Sequence, residues 1–238
     1  MQSADCRVQN RQEGRPPVRV AASGRPRASC DSYSALRILR WALVLALALP
    51  MAAYGAVSGS AHDFTAKGWS GGTLCGVCHT PHHADLTVPN APLWNHRVTS
   101  ATYTLYSSPT LKAALSQPTH YGSKLCLSCH DGTVALDSFG GKTGSAFIDA
   151  AYSVGADLRG THPIGLVYDA ALAAAKPGLY NPATKTTALG GTITHDLLFG
   201  TGNLECASCH DVHNTQNNGS LLRITKDGSV ICLTCHNK

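Results

Sequence analysis

The chain has 238 residues and a formal net charge of +5, from 19 lysines and arginines against 14 aspartates and glutamates. Eight of the basic and three of the acidic residues lie within positions 1–61, so positions 62–238 carry 11 of each and are neutral. The basic excess therefore gives no reason to expect a nucleic-acid partner.

The first 61 residues divide into two segments that we do not expect in the folded protein. Residues 1–34 are rich in Arg, Pro and Ser and lack hydrophobic periodicity, which predicts a disordered leader or a mis-called start. Residues 35–61 join two arginines, an apolar run over 41–50 and small residues up to Ala61, which is typical of a secretory signal peptide. An uncleaved membrane anchor is the alternative, because 41–61 are uncharged and long enough to span a bilayer. We predict secretion across the inner membrane to an extracellular or cell-surface location, or alternatively a periplasmic one.

Four Cys-x-x-Cys-His sequences follow, here called motif 1 (75–79), motif 2 (126–130), motif 3 (206–210) and motif 4 (232–236). This sequence predicts a c-type haem, with both thiols bonded to the porphyrin vinyl groups and the His on the iron. A zinc site or a redox dithiol is the alternative, but neither requires a His after every second Cys. We predict four covalently bound haem c groups, held by Cys75, Cys78, Cys126, Cys129, Cys206, Cys209, Cys232 and Cys235, with His79, His130, His210 and His236 as proximal iron ligands.

The second axial ligand of each iron must also be histidine. Both methionines and the two cysteines outside the motifs lie within positions 1–61, which excludes His/Met ligation and structural disulfides in the remainder. Eight further histidines are available, so the supply exceeds the demand. Four distal ligands are expected from five candidates, which are His62, His82, His96, His162 and His213.

Two of these candidates share a position in a repeated sequence. His82 and His213 each follow a proximal His by three residues, within matching stretches at 75–82 and 206–213. Side chains three apart on a helix share a face, so the two rings cannot clamp opposite faces of one haem. Each must therefore serve a neighbouring haem. The three histidines left over, His83, His120 and His195, are predicted to be ordinary surface residues.

The fold class predicted is a multihaem cytochrome c, mostly coil with short helices and few strands, wrapped around four haems. Large apolar side chains are too few for an ordinary core, and Gly and Pro are frequent. Short helices are expected at 111–115 and 169–175. The repeated motifs predict a first di-haem unit at 62–135, a linker or intervening segment at 136–204 and a second di-haem unit at 205–238.

Two resemblances extend this prediction. Residues 206–236 resemble the doubled CxxCH haem module, with a Leu-Leu pair at 221–222 between the two motifs. From about Ser60 to Lys238 the chain resembles the OmcE-type extracellular cytochrome filament (nanowire) family, in the order of Ser60-Ala-His-Asp-Phe64, Ala91-Pro-Leu-Trp-Asn-His96, the stretch 125–133 and the stretch 205–213. In that family every haem has two His ligands, and a His of one subunit completes a haem of the next. The resemblance implies self-association into a filament, with His62 as a candidate for the donated ligand.

The expected function is long-range electron transfer by a secreted tetrahaem cytochrome that polymerises into an extracellular haem filament. Irons with two His ligands leave no open position for a substrate, so no catalytic residue and no enzyme activity are predicted. The alternatives are a discrete periplasmic tetrahaem shuttle and a membrane-anchored quinol-oxidising cytochrome. Expected partners are other copies of the chain and other redox proteins, with membrane contact only if the signal segment is uncleaved.

Overall fold

The computed structural model describes residues 57–238. The predictions made for residues 1–34, and those for all but the last five residues of 35–61, lie outside this range. In the described part the histidine and cysteine positions named above are all present.

Regular secondary structure is short and scattered through residues 57–238. The helices are α1 (Tyr121–His130), α2 (Ala170–Ala175), α3 (Ile193–Asp196), α4 (Cys206–Cys209) and α5 (Val230–Cys235). Five 3₁₀ turns occupy Gly68–Ser70, Ala150–Tyr152, Leu158–Gly160, Gly219–Leu221 and Asp227–Ser229. One antiparallel sheet pairs β1 (Leu166–Val167) with β2 (Asn203–Leu204). The expectation of coil with short helices and few strands is confirmed, and none of the described helices is long and apolar enough to cross a membrane.

One of the two short helices expected between the motifs is present. Asp169 is the N-cap of α2, and its carboxylate accepts a hydrogen bond of 2.8 Å from the Leu172 N–H. The alanines that follow favour the helix, which ends before Pro177. The helix expected at 111–115 is wrong. That stretch is extended, because Leu115 bridges to Leu166 and the Ser116 N–H donates to the Gly165 carbonyl, 2.9 Å away.

The largest buried apolar cluster comes mainly from the segment expected to be a linker. It consists of Leu166, Tyr168, Ala173, Ile193, Leu197, Leu198 and Ile224. A smaller cluster joins Tyr103, Leu127 and Leu158. The residues between motifs 2 and 3 therefore contribute packing of their own, and the boundaries of the two di-haem units stay a prediction.

Helices α1 and α4 carry motifs 2 and 3 and pack directly against each other. A Cβ atom added at Gly122 would lie 3.1 Å from the Cβ of Glu205, so the absence of a side chain permits the approach. Ser123, which is fully buried, donates to the Glu205 carboxylate, and its hydroxyl accepts from the Cys206 N–H at 3.0 Å. This contact fixes motif 2 beside motif 3.

Candidate metal centre

Each motif forms a single helical turn that brings its thiols and its imidazole together. The His N–H donates to the carbonyl of the first Cys over 2.8 Å in motif 1, 3.0 Å in motif 3 and 2.9 Å in motif 4. Motif 2 is the last part of α1. Because successive turns of a helix stack side chains on one face, this geometry suits attachment of a haem edge and its iron from the same side.

A neighbouring loop sets the orientation of three proximal imidazoles. Nδ1 of His79 donates to the Pro92 carbonyl over 2.6 Å. The equivalent bonds run from His130 to the Tyr152 carbonyl over 2.9 Å and from His210 to the Ser220 carbonyl over 3.0 Å. A proton on Nδ1 leaves the lone pair on Nε2, which is the nitrogen needed by a metal. These bonds preset the ligating tautomer.

Main-chain hydrogen bonds hold the same loops in place. The Thr80 N–H donates to the Leu93 carbonyl at 2.9 Å, the Val154 N–H to the His130 carbonyl at 2.7 Å and the Asp211 N–H to the Leu221 carbonyl at 2.7 Å. Each proximal histidine is thus flanked by a loop paired to its own motif. Sequence reasoning missed these loops, because a carbonyl acceptor leaves no trace in residue identity.

Three proximal histidines lie opposite a second imidazole. The ring centroids of His79 and His213 are 6.2 Å apart and the rings are inclined by 13°. His130 faces His62 at 6.0 Å and 50°. The third pair, at 6.3 Å and 69°, is listed last because it lies farthest along the chain: His236 with His162. The structure therefore brings His62, His162 and His213 of the predicted distal set against proximal ligands.

The spacing within these pairs fits an iron between the two rings. An imidazole nitrogen binds a transition metal at about 2.0–2.1 Å, so two such bonds and two ring radii span about 6 Å between centroids. The observed 6.0–6.3 Å matches that span. Within residues 57–238 no group of three or more His, Cys, Asp or Glu side chains is arranged to hold a metal ion. Paired imidazoles without further protein ligands suit an iron whose other four bonds come from a porphyrin, and do not suit zinc.

His62 is prepared for ligation by burial. Burial lowers the pKa of His62 to about 4, helped by the positive charges of His130 and His210. The imidazole is therefore neutral near pH 7, as a metal ligand must be. Its Nδ1 is buried without a hydrogen-bond partner in the described part of the chain. The hypothesis that His62 crosses to another copy is not the arrangement seen here, since its ring lies against His130 of the same chain.

Two histidines of the predicted set stay outside these pairs. Proximal His210 faces no second imidazole within residues 57–238, although its Nδ1 is already oriented by Ser220. His82 is exposed and lies on the rim of a cavity of about 620 Å³ that Arg97 and Lys142 also line. The chain therefore presents one oriented proximal ligand and one free distal candidate.

The fifth distal candidate, His96, is not brought to a proximal histidine. It is 2% exposed, and its two ring nitrogens lie 2.8 Å and 3.1 Å from the carbonyl oxygens of Arg97 and Ala135. These contacts occupy both nitrogens, so the ring has no lone pair directed at a metal. Of the histidines expected at the surface, His83 is exposed and His195 pairs through Nδ1 with the Asp196 carboxylate at 2.7 Å.

The thiols of neighbouring motifs lie close together and are held protonated. Burial raises the pKa of Cys129 to about 12, followed by the negative charges of Cys78 and Asp131. Burial also raises the pKa of Cys235 to about 12, with Cys209 the next cause. Redox dithiols need a lowered thiol pKa, so these values oppose that alternative. They also place motif 1 beside motif 2, and motif 3 beside motif 4.

An aspartate follows the proximal histidine in motifs 2 and 3, and both carboxylates are buried. Asp131 accepts hydrogen bonds of 2.7 Å from the Tyr103 hydroxyl and from Thr99. Asp211 accepts from the Thr215 N–H at 2.9 Å and from the His213 N–H at 3.0 Å. Sequence reasoning missed both residues, although the shared Cys-His-Asp sequence marks them.

Comparison with known proteins gives two matches. The family model described as the doubled CXXCH motif matches residues 199–238, which include motifs 3 and 4. The chain is also similar to the C-type polyheme cytochrome OmcB of Geobacter sulfurreducens, from strains DL-1/KN400 and ATCC 51573/DSM 12127/PCA. Identity is 29% over 208 residues, covering 75% of this chain and 25% of OmcB. The chain thus spans about a quarter of the length of these curated relatives. The matches support a multihaem c-type cytochrome with covalently bound haem c, a class that carries electrons.

Proposed function

We propose that this chain is a secreted tetrahaem cytochrome for long-range electron transfer, which polymerises so that each copy completes a haem of the next. Haems 1 to 4 are named here after the motifs that would attach them. The iron of each haem would take up and release one electron. The chain's own residues orient the ligands, exclude an open coordination position and bring successive attachment sites together.

The observation that carries the proposal is the pairing left incomplete within one chain. His79, His130 and His236 have a second imidazole at 6.0–6.3 Å, whereas His210 has none in the described residues. His82 is the distal candidate left over. One ligand is lacking and one is spare, which is the balance that a repeating head-to-tail assembly requires.

The internal repeat indicates how these two residues would meet. His213 follows His210 by three residues and serves His79 in the other unit. His82 follows His79 by three residues, so the same relation carried to a neighbouring copy places His82 opposite that copy's His210. A contact between two different surfaces repeats without closing unless rotation forms a ring. His82 is therefore proposed as the donated ligand in place of His62.

The contacts between motifs favour one continuous row of haems. Motifs 1 and 2 approach at Cys78 and Cys129, motifs 2 and 3 through the α1–α4 contact, and motifs 3 and 4 at Cys209 and Cys235. With His82 on haem 3 of a neighbour, the row would continue from copy to copy. Export and an extracellular location belong to this proposal, and so does the absence of a substrate site.

The experiment replaces His82 in the holoprotein and examines both assembly and iron ligation. H82A is expected to abolish filaments in electron micrographs of the extracellular haem fraction, while all four haems stay attached through their thiols. One haem in four is expected to become high-spin in the absorption spectrum, and added imidazole should restore the low-spin form without restoring filaments.

The matched control is H83N, at the adjacent exposed histidine. His83 has a φ of 59°, a left-handed conformation that Asn tolerates well. This variant should assemble like the wild type. Wild-type protein that remains a monomer at every concentration, with four low-spin haems, would instead favour the discrete periplasmic shuttle. Filaments of H82A with four low-spin haems would exclude His82 as the bridging ligand.

A further inference from the structure

The second imidazole opposite His79 has a different environment from the others. Nδ1 of His79, His130, His162 and His210 each lies on a neutral backbone carbonyl. Nδ1 of His213 instead lies 3.8 Å from Oδ1 of Asp211. Among residues 57–238 it is the one histidine of the paired set with a carboxylate within 4.0 Å.

The Asp211 carboxylate is fixed and poorly exposed. Its side chain is 7% exposed, while that of His213 is 54% exposed. The N–H groups of His213 and Thr215 and the Thr215 hydroxyl hold it at 3.0, 2.9 and 2.5 Å. A charge this close to a ligand, and shielded from water on its own side, acts with less screening than a surface charge.

We infer that Asp211 is a positioning residue that lowers the reduction potential of haem 1 through His213. This inference rests on the proposed function, in which His79 and His213 are the two axial ligands of that haem. A carboxylate near Nδ1 draws the imidazole proton toward itself, which makes Nε2 a stronger electron donor and favours ferric iron. Backbone carbonyls do the same more weakly. Haem 1 is therefore the haem of lowest potential in the row.

The test is D211N in the holoprotein, measured by a redox titration followed by electron paramagnetic resonance. Asn keeps the size and an acceptor oxygen but removes the charge. At the wild-type midpoint potential of haem 1, the ferric-to-ferrous ratio is expected to fall about threefold, equivalent to roughly 30 mV, since tenfold corresponds to 59 mV for one electron. The signal of haem 1 is recognisable because its ligand rings are nearly parallel at 13°, whereas the other two pairs are inclined by 50° and 69°.

A second variant changes the same potential in the opposite direction without touching the carboxylate. T215V removes the hydroxyl donor of 2.5 Å, leaves more negative charge on the Asp211 oxygens and should lower the potential of haem 1. Thr215 is exposed, so the fold should be retained. D227N, which neutralises an exposed carboxylate of the same region, controls for net charge.

The outcomes separate this inference from the proposed function. Opposite shifts of one potential in D211N and T215V support the role of Asp211. Four low-spin haems whose potentials stay unchanged in both variants would overturn it and leave the ligation intact. A high-spin haem 1 in the wild type would instead overturn the proposed ligation by His213. If D211N failed to fold, T215V alone would decide the sign.

Discussion

Motifs 1 and 3 carry the same Cys-x-x-Cys-His-x-x-His sequence, yet their last histidines have different surroundings. His213 of the second copy lies 6.2 Å from His79, with its ring nearly parallel. His82 of the first copy is exposed and faces no proximal histidine within residues 57–238. The local sequence sets how the side chain leaves the motif. The position of the motif in the chain decides whether a proximal histidine of the same chain is there to meet it.

Replacing the histidine of the second copy should break this comparison with the largest effect. H213A is expected to give one high-spin haem in four in every state of assembly, because the ligand comes from the same chain. In H82A the same fraction should be high-spin, but there it accompanies the loss of filaments. Absorption and magnetic circular dichroism spectra of dispersed and assembled protein measure both fractions. A fully low-spin H213A would contradict the in-chain pairing.

The two buried aspartates offer a second contrast, of intermediate size. Tyr103 is 5% exposed and its hydroxyl donates to Asp131 over 2.7 Å. Removing a hydrogen bond to a charged group costs about 1.5–3 kcal/mol, so Y103F should lower the free energy of unfolding by about 2 kcal/mol. T215V removes the equivalent donor to Asp211 at an exposed position and should cost less. Denaturant unfolding of both holoprotein variants gives the comparison, and equal losses would contradict it.

Acid should reveal the contribution of Asp131 in a smaller effect. Burial raises its pKa, but the hydrogen bonds from Tyr103, Thr99 and Thr133 more than offset this and hold the pKa below its usual value. A carboxyl with a lowered folded-state pKa stabilises the fold fully above the unfolded value of about 3.9 and loses that contribution as the pH falls through the folded value. The free energy of unfolding of the wild type should therefore decline below about pH 4.

The matched variant for the acid experiment is D131N, which has no charge to lose at this position. Its free energy of unfolding should be lower than that of the wild type at pH 6 and should change less between pH 4 and pH 2. D211N, at the corresponding position of motif 3, tests whether the less enclosed carboxylate contributes less. Parallel curves for D131N and the wild type would show that Asp131 does not titrate with unfolding.

The sequence predicted features that depend on neighbouring residues and missed those that depend on distant ones. Asp169 and the alanines after it specify α2 locally, and the coil-rich fold follows from the composition. The helix expected at 111–115 is absent because its backbone pairs with Leu166, some 50 positions away. The same limit applies to the imidazole pairs, whose members are separated by 68, 134 and 74 positions. No local pattern separates His96, enclosed by carbonyls, from His62, which reaches His130.

The acceptors that orient His79, His130 and His210 belong to the main chain of Pro92, Tyr152 and Ser220. A backbone carbonyl survives almost any substitution of the residue that bears it. These loops can therefore accumulate side-chain changes over generations while the imidazoles keep their direction. The tautomer is inherited through loop geometry, and related chains can diverge widely between their motifs without losing it.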